Sequence, residues 1–154
     1  MTAAPSSLNR LALQATTHCL TGCAIGEVVG MVISTALGWG NFVAILLSIV
    51  LAFFFGYALT MRPLLASGLN LGRATRLALS ADTVSITVME ITDNGILLVI
   101  PAAMNAQLNE PLFWGSLALS LAVAGMVAFP VNRWMIGRGQ GHAVVHGAHE
   151  HAGH

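Results

Sequence analysis

The sequence predicts an all-α integral membrane protein with four transmembrane helices and both termini cytoplasmic. Three observations predict it. Hydrophobic residues make up 56% of the chain and charged residues only 8%, which is far from the composition of a soluble globular domain. Apolar runs of roughly 20 residues, the length that crosses a hydrocarbon core of about 30 Å, recur along the chain, interrupted by short polar turns. Every basic residue is an arginine, and on this reading all six fall on one side of the membrane.

The chain divides into a cytoplasmic N-terminal segment (1–10), a four-helix transmembrane domain (11–136) and a Gly/His-rich cytoplasmic tail (137–154). Span 1 runs from about Leu11 to Leu37 and ends in the turn-like GWGN of Gly38 to Asn41. It is too long, and too polar on one face, for a signal-peptide core, so it is expected to be retained as a span. Span 2, about Phe42 to Met61, has no ionisable side chain other than Tyr57 and reads as a plain lipid-facing helix stopped by Arg62 and Pro63. A linker containing Ser67, Gly68, Asn70, Gly72 and Arg73 leads to Arg76. Span 3, about Leu77 to Ala102, contains Asp82, Met89, Glu90, Asp93 and Asn94. Span 4, about Pro111 to Ile136, is apolar apart from Ser116 and Ser120, with Pro130 and Asn132 marking its end.

Orientation follows from charge. Arg10 precedes span 1, Arg62, Arg73 and Arg76 lie between spans 2 and 3, and Arg133 and Arg138 close span 4. Positive loops stay cytoplasmic, which places a multi-pass protein in a bacterial inner membrane with the turns after spans 1 and 3 outside. Trp39 and Trp114 then sit at the far interface and Trp134 at the near one. Formal net charge is zero, so the chain lacks the cationic excess of a nucleic-acid binder, and no nucleic-acid partner is expected.

Span 1 carries the chemistry in THCLTGCAIGEVVGMVIS, Thr17 to Ser34. At 100° per residue Cys19, Cys23, Glu27 and Met31 recur every fourth position as one stripe of ligand-type side chains. Gly22, Gly26 and Gly30 form a second stripe about 100° away, with His18 at its head, and such a small-xxx-small face lets another helix approach closely. A homodimer through that stripe is one expectation. On span 3, taking Asp82 as zero, Asp93 falls about 20° to one side, Met89 about 20° to the other, and Glu90 about 80° away, so the acids share a side. Spans 1 and 3 run in the same direction, and counting depth from Leu11 and Leu77 sets His18 and Cys19 level with Thr83 to Ser85. Cys23 is then level with Met89, and Glu27 with Asp93. Laying Glu27 on Glu90 puts Cys19 on Asp82, the outline of a parallel internal repeat.

Ionisable groups inside a bilayer cost several kcal/mol and must face protein, water or an ion. A column of imidazole, thiolate, thioether and carboxylate suits a soft transition metal, copper first and zinc second. Its predicted ligands are His18, Cys19, Cys23, Glu27, Asp82, Met89, Glu90 and Asp93. A buried thiolate needs a cation beside it, so the cysteines are ligands only where metal occupies the site. Four positions apart on one helix, they are badly placed for a disulfide with each other. Each reading has a plainer rival. A cysteine packs as a small hydrophobe, Met31 and Met89 fill core, and His18 hydrogen-bonds a neighbouring Ser or Thr. Met31 is therefore left out of the predicted site. The tail adds His142, His146, His149, His151 and His154 as a secondary metal-collecting segment or a solvated end.

Three function classes follow. The first is intramembrane binding and transport of the metal, which makes the chain a carrier rather than an enzyme. The second is a membrane oxidoreductase or accessory subunit using the thiols, or a haem or quinone near His18. A single intramembrane histidine argues against bis-histidine haem ligation, unless a dimer supplies the second. The third is a structural or assembly subunit whose acids pair with a larger partner.

The blocks HCLTGCAIGEVVGMVI in span 1, ADTVSITVMEITDN in span 3 and NRWMIGRGQGHAVVH after span 4 together resemble a small bacterial membrane family known only as a domain of unknown function. The resemblance covers nearly the whole chain and implies a four-helix membrane domain without an assigned activity. It also implies a setting beside copper proteins, multicopper oxidases among them, which favours copper over zinc and copper-handling partners. The histidines after His146 lie beyond the third block.

Overall fold

A computed structural model describes residues 5–140, and within them all regular secondary structure is helical. The tail histidines lie outside the described residues. The helices are α1 (Pro5–Ala36), α2 (Asn41–Ala66), α3 (Leu71–Val99), the one-turn α4 (Pro101–Met104) and α5 (Pro111–Gly137). Three of them, α1, α2 and α5, are long and apolar enough to cross a membrane, and the chain is a membrane protein. α3 matches them in length but carries the acids.

Boundaries differ from the sequence expectation where a local hydrogen bond outweighs a breaker. α2 does not stop at Pro63: it runs a further turn to Ala66, and the Ser67 amide donates to the Pro63 carbonyl at 3.0 Å. Pro63 leaves the Leu59 carbonyl without its helical donor, one lost bond in the last turn. α5 ends at Gly137, one residue beyond the expected Ile136, and continues through Pro130, which faces outward, because a membrane helix tolerates the lost bond when its neighbours support it. α3 starts at Leu71 rather than Leu77, since the Asn70 side chain accepts the Arg73 amide at 2.9 Å and caps it. At the other end Pro101 breaks α3 and opens α4, and Pro111 opens α5.

Successive long helices alternate in direction, and the four form a ring in the order α1, α2, α3, α5. α1 packs most extensively against α2. α1 and α3 meet across the diagonal, so the expectation that spans 1 and 3 face each other between two covering helices describes the ring. All six arginines lie at the end formed by the N-termini of α1 and α3 and the C-termini of α2 and α5. There the Arg133 guanidinium donates to the Asn9 side chain at 2.6 Å, and Arg138 stacks 4.3 Å over the Trp134 ring. Trp39 and Trp114 mark the opposite, arginine-free end.

The glycine stripe is consumed within the chain. A methyl group on Gly22 would fall 2.7 Å from the Gly56 Cα, one on Gly26 would strike the Ala52 backbone, and one on Gly30 would lie 2.8 Å from the Ser48 Cα. The expected dimer through this stripe is thereby displaced: α2 of the same chain occupies the face. α2 answers with its own run of small residues every fourth position, Ala44, Ser48, Ala52, Gly56 and Thr60. Outward, large apolar side chains such as Val50 (64% exposed) and Met126 (67% exposed) form the surface that lipid covers.

Candidate functional site

The stripe on α1 and the acids on α3 both turn inward. Cys19, Cys23 and Glu27 are buried, as are Asp82, Ser85, Met89, Glu90 and Asp93, and they meet along the diagonal in layers. At the arginine-side layer the Cys19 thiol donates to an Asp82 carboxylate oxygen at 3.9 Å, with Ser85 beside it. His18 Nε2 and the Thr60 hydroxyl share a 2.7 Å hydrogen bond, and Thr60 also reaches Asp82, so α1, α2 and α3 are tied at one level. In the middle layer Cys23 lies beside Glu90, whose other carboxylate oxygen accepts from the Asn94 amide at 3.2 Å. Met89 packs against both cysteines in the apolar filling between the layers. In the third layer Glu27 approaches Asp93 and Glu90.

Layer assignments from depth counting hold to within about one residue: Cys19 meets Asp82 and Ser85, Cys23 meets Glu90 beside Met89, and Glu27 meets Asp93. Cys19 and Asp82 are 63 positions apart, and so are Glu27 and Glu90; helices related by a two-fold axis between α1 and α3 would bring such pairs together.

The polar partners change along the column. At the arginine side His18, Thr60, Cys19 and Asp82 bond one another. Deeper in, Glu90 has the Cys23 thiol and the Asn94 amide, while the buried carboxyl groups of Glu27 and Asp93 have each other and no further hydrogen-bond partner. No Lys or Arg occurs between Arg10 and Arg62 or between Arg76 and Arg133, so the stretches that supply these acids carry no fixed positive side chain. Buried carboxyl groups in that situation are compensated by a mobile cation, either protons or a metal ion.

The matched family model, Domain of unknown function (DUF4396), covers residues 9–141 of the chain. The chain belongs to this family. Its DUF4396 domain therefore takes in every layer of the column and ends before all five tail histidines. No curated protein and no solved structure matches the chain.

Among the described residues of the DUF4396 domain, no three His, Cys, Asp or Glu side chains converge closely enough to hold a metal ion as they stand. The donors are spread over successive turns in pairs. One cavity adjoins the third layer and a second lies next to it, toward the arginine-free end. The first, of about 60 Å³, is lined by Glu27, Asn94, Met31, Ser48 and Met104 among others, and the second, of about 310 Å³, shares Met31, Asn41, Ala44 and Met104 with it and opens among the loops of the arginine-free end.

Sequence reasoning missed Thr60 and Ser34 as parts of the polar interior. It took α2 for a plain lipid-facing helix because Thr60 is not ionisable. The signal was present in the spacing: Thr60 continues the every-fourth small residues of α2 and so had to face α1. A second buried tie, the Asn132 amide donating to the Thr16 hydroxyl at 3.0 Å, joins α5 to α1 where Asn132 had been read only as a helix end.

Proposed function

We propose that this domain binds a soft transition metal ion inside the membrane and passes it along the α1–α3 diagonal, with copper favoured over zinc. The observation that carries the reading is the buried cluster of Glu27, Glu90 and Asp93 beside the Cys23 thiol, acids whose polar partners are chiefly one another and that thiol, with no basic side chain. Oxygen alone would suit a hard cation, whereas two thiols and the Met89 thioether in the same column select a soft one. Cys19, Cys23, Met89 and His18 are the soft donors. Glu27, Glu90 and Asp93 balance charge, and Asp82 lies toward the arginine end. Because the donors stand in pairs, the ion is held by two or three ligands at a time and handed between layers, as a carrier requires and a storage site does not.

In this reading α3 is the fourth span. Val84, Ile91 and Leu98 recur every seventh residue as an exposed apolar stripe, which gives α3 a lipid face opposite its acids. The clustering of all six arginines at one end supports a reading with both termini in the cytoplasm of a bacterial inner membrane.

The deciding experiment is elemental analysis of the purified full-length chain, with all five tail histidines replaced by alanine, with and without Cys19→Ser plus Cys23→Ser. Copper is expected in the first and at least tenfold less in the second. Equal metal content removes the proposal. A second reading, proton relay through the carboxyl groups alone, is favoured by the absence of a three-donor cluster among the described residues. Proton flux in vesicles that survives Cys19→Ser plus Cys23→Ser and is abolished by Glu27→Gln selects it.

A further inference from the structure

The cavity beside Glu27 and the one next to it identify the face from which the column is entered. Glu27 is 8% exposed, has no hydrogen-bond partner beyond the Asp93 carboxyl group, and lines the smaller cavity. Ser34 is 1% exposed, its hydroxyl without a partner, and it lines the larger one. Two buried polar groups thus line adjoining cavities that share four wall residues and extend to the arginine-free loops. A volume of about 60 Å³ is roomy enough for water. The walls common to both cavities include two thioethers, Met31 on α1 and Met104 on α4, on the route to Glu27. At the other end, Leu64, Ala74 and Ala81 pack into one solid cluster and Ala12, Ala15 and Ile136 into another, beyond the bonded His18–Thr60 layer.

We infer that these cavities form a wet vestibule through which Cu(I) reaches Glu27 from the arginine-free face, with Met31 and Met104 as its first protein ligands. Neutral thioethers are soft donors that suit Cu(I) and offer little to Zn(II), so the vestibule also fixes the oxidation state of the cargo. From Met31 the next donors inward are Glu27 and then Cys23, each one helical turn further along the same face of α1. The inference rests on the metal-handling reading and adds the side of entry and the ion.

It is tested by cysteine accessibility in the full-length chain. Ala44→Cys, in a wall shared by both cavities, and Ser34→Cys are exposed to a membrane-impermeant cationic methanethiosulfonate in oriented vesicles. Gly40→Cys reports the arginine-free face and Ser67→Cys the opposite one, and labelling is read above that of the unsubstituted chain. Both vestibule cysteines are expected to label from the Gly40 side and not from the Ser67 side. In parallel, Met31→Leu plus Met104→Leu is expected to slow Cu(I) loading at least tenfold with an unchanged melting temperature. Labelling from neither side, or only from the Ser67 side, overturns the entrance, and Cu(I) loading indifferent to the methionine pair overturns the thioether route. An unsubstituted chain that loads Cu(I) while the vestibule cysteines stay unlabelled refutes this inference alone. A vestibule that labels in a chain unable to load Cu(I) refutes the cargo together with the metal-handling reading.

Discussion

Two faces of one helix follow opposite rules. Along Gly22, Gly26 and Gly30, α1 presses its backbone against α2 with no room for a methyl group. About 100° around the same cylinder, Cys19, Cys23 and Glu27 face α3 across an interior where the polar partners of the deeper acids are chiefly one another and a thiol. In a bilayer there is little hydrophobic force between helices, so cohesion comes from close van der Waals contact, and the glycine face supplies it. The carboxyl face works against cohesion. The bundle keeps its fold through one face of α1 and retains unspent polar capacity on the other, which separates what holds the molecule together from what it acts on.

That separation can be broken by substitution. The largest effect is expected at Gly26→Leu, where the new side chain strikes the Ala52 backbone and has nowhere to relax; a loss of about 3 kcal/mol or more is expected, read as a lowered midpoint of thermal unfolding in detergent. An unchanged midpoint would mean that α2 does not occupy this face. Next comes Glu27→Leu. Replacing a buried carboxyl group that has only other acids beside it by an apolar group of similar size is expected to leave stability unchanged or raise it by about 1–2 kcal/mol, while metal loading falls at least tenfold. Stability lost with binding retained would reverse the assignment of the two faces. Thr60→Val removes a hydroxyl that bonds His18 and is expected to cost about 1 kcal/mol, measured by reversible unfolding in mixed micelles. The smallest effect, about 0.6 kcal/mol, is expected for Thr16→Val, which removes one partner of Asn132 at the α1–α5 contact.

The helical fold was legible in the sequence because membrane spans announce themselves by length and apolarity, and the inward stripes because spacing of four on a helix is a geometric statement. Depth counting paired Glu27 with Asp93 and Cys19 with the level of Ser85 for the same reason. One proline misled a boundary: Pro63 looks like a stop, yet it sits in the last turn of α2, where one missing hydrogen bond is tolerated, whereas the end of α5 at Gly137 falls one residue from the expected Ile136. The partner of the glycine stripe was not legible from α1 alone. It required reading Ala44, Ser48, Ala52, Gly56 and Thr60 as a complementary stripe, and none of those residues draws notice individually. The vestibule was invisible because cavities arise from what fails to meet, and Met31 and Met104 come from segments more than seventy residues apart in sequence.

Backbone contact between α1 and α2 has a mechanical consequence. Interlocked at three successive glycines, these two helices cannot slide or roll past each other without forcing atoms into the same space, so they behave as one stiff post. Any rearrangement that shuts the vestibule and opens the arginine end must therefore be a swing of the α3–α5 pair against that post, with the acids of α3 travelling past stationary sulfur.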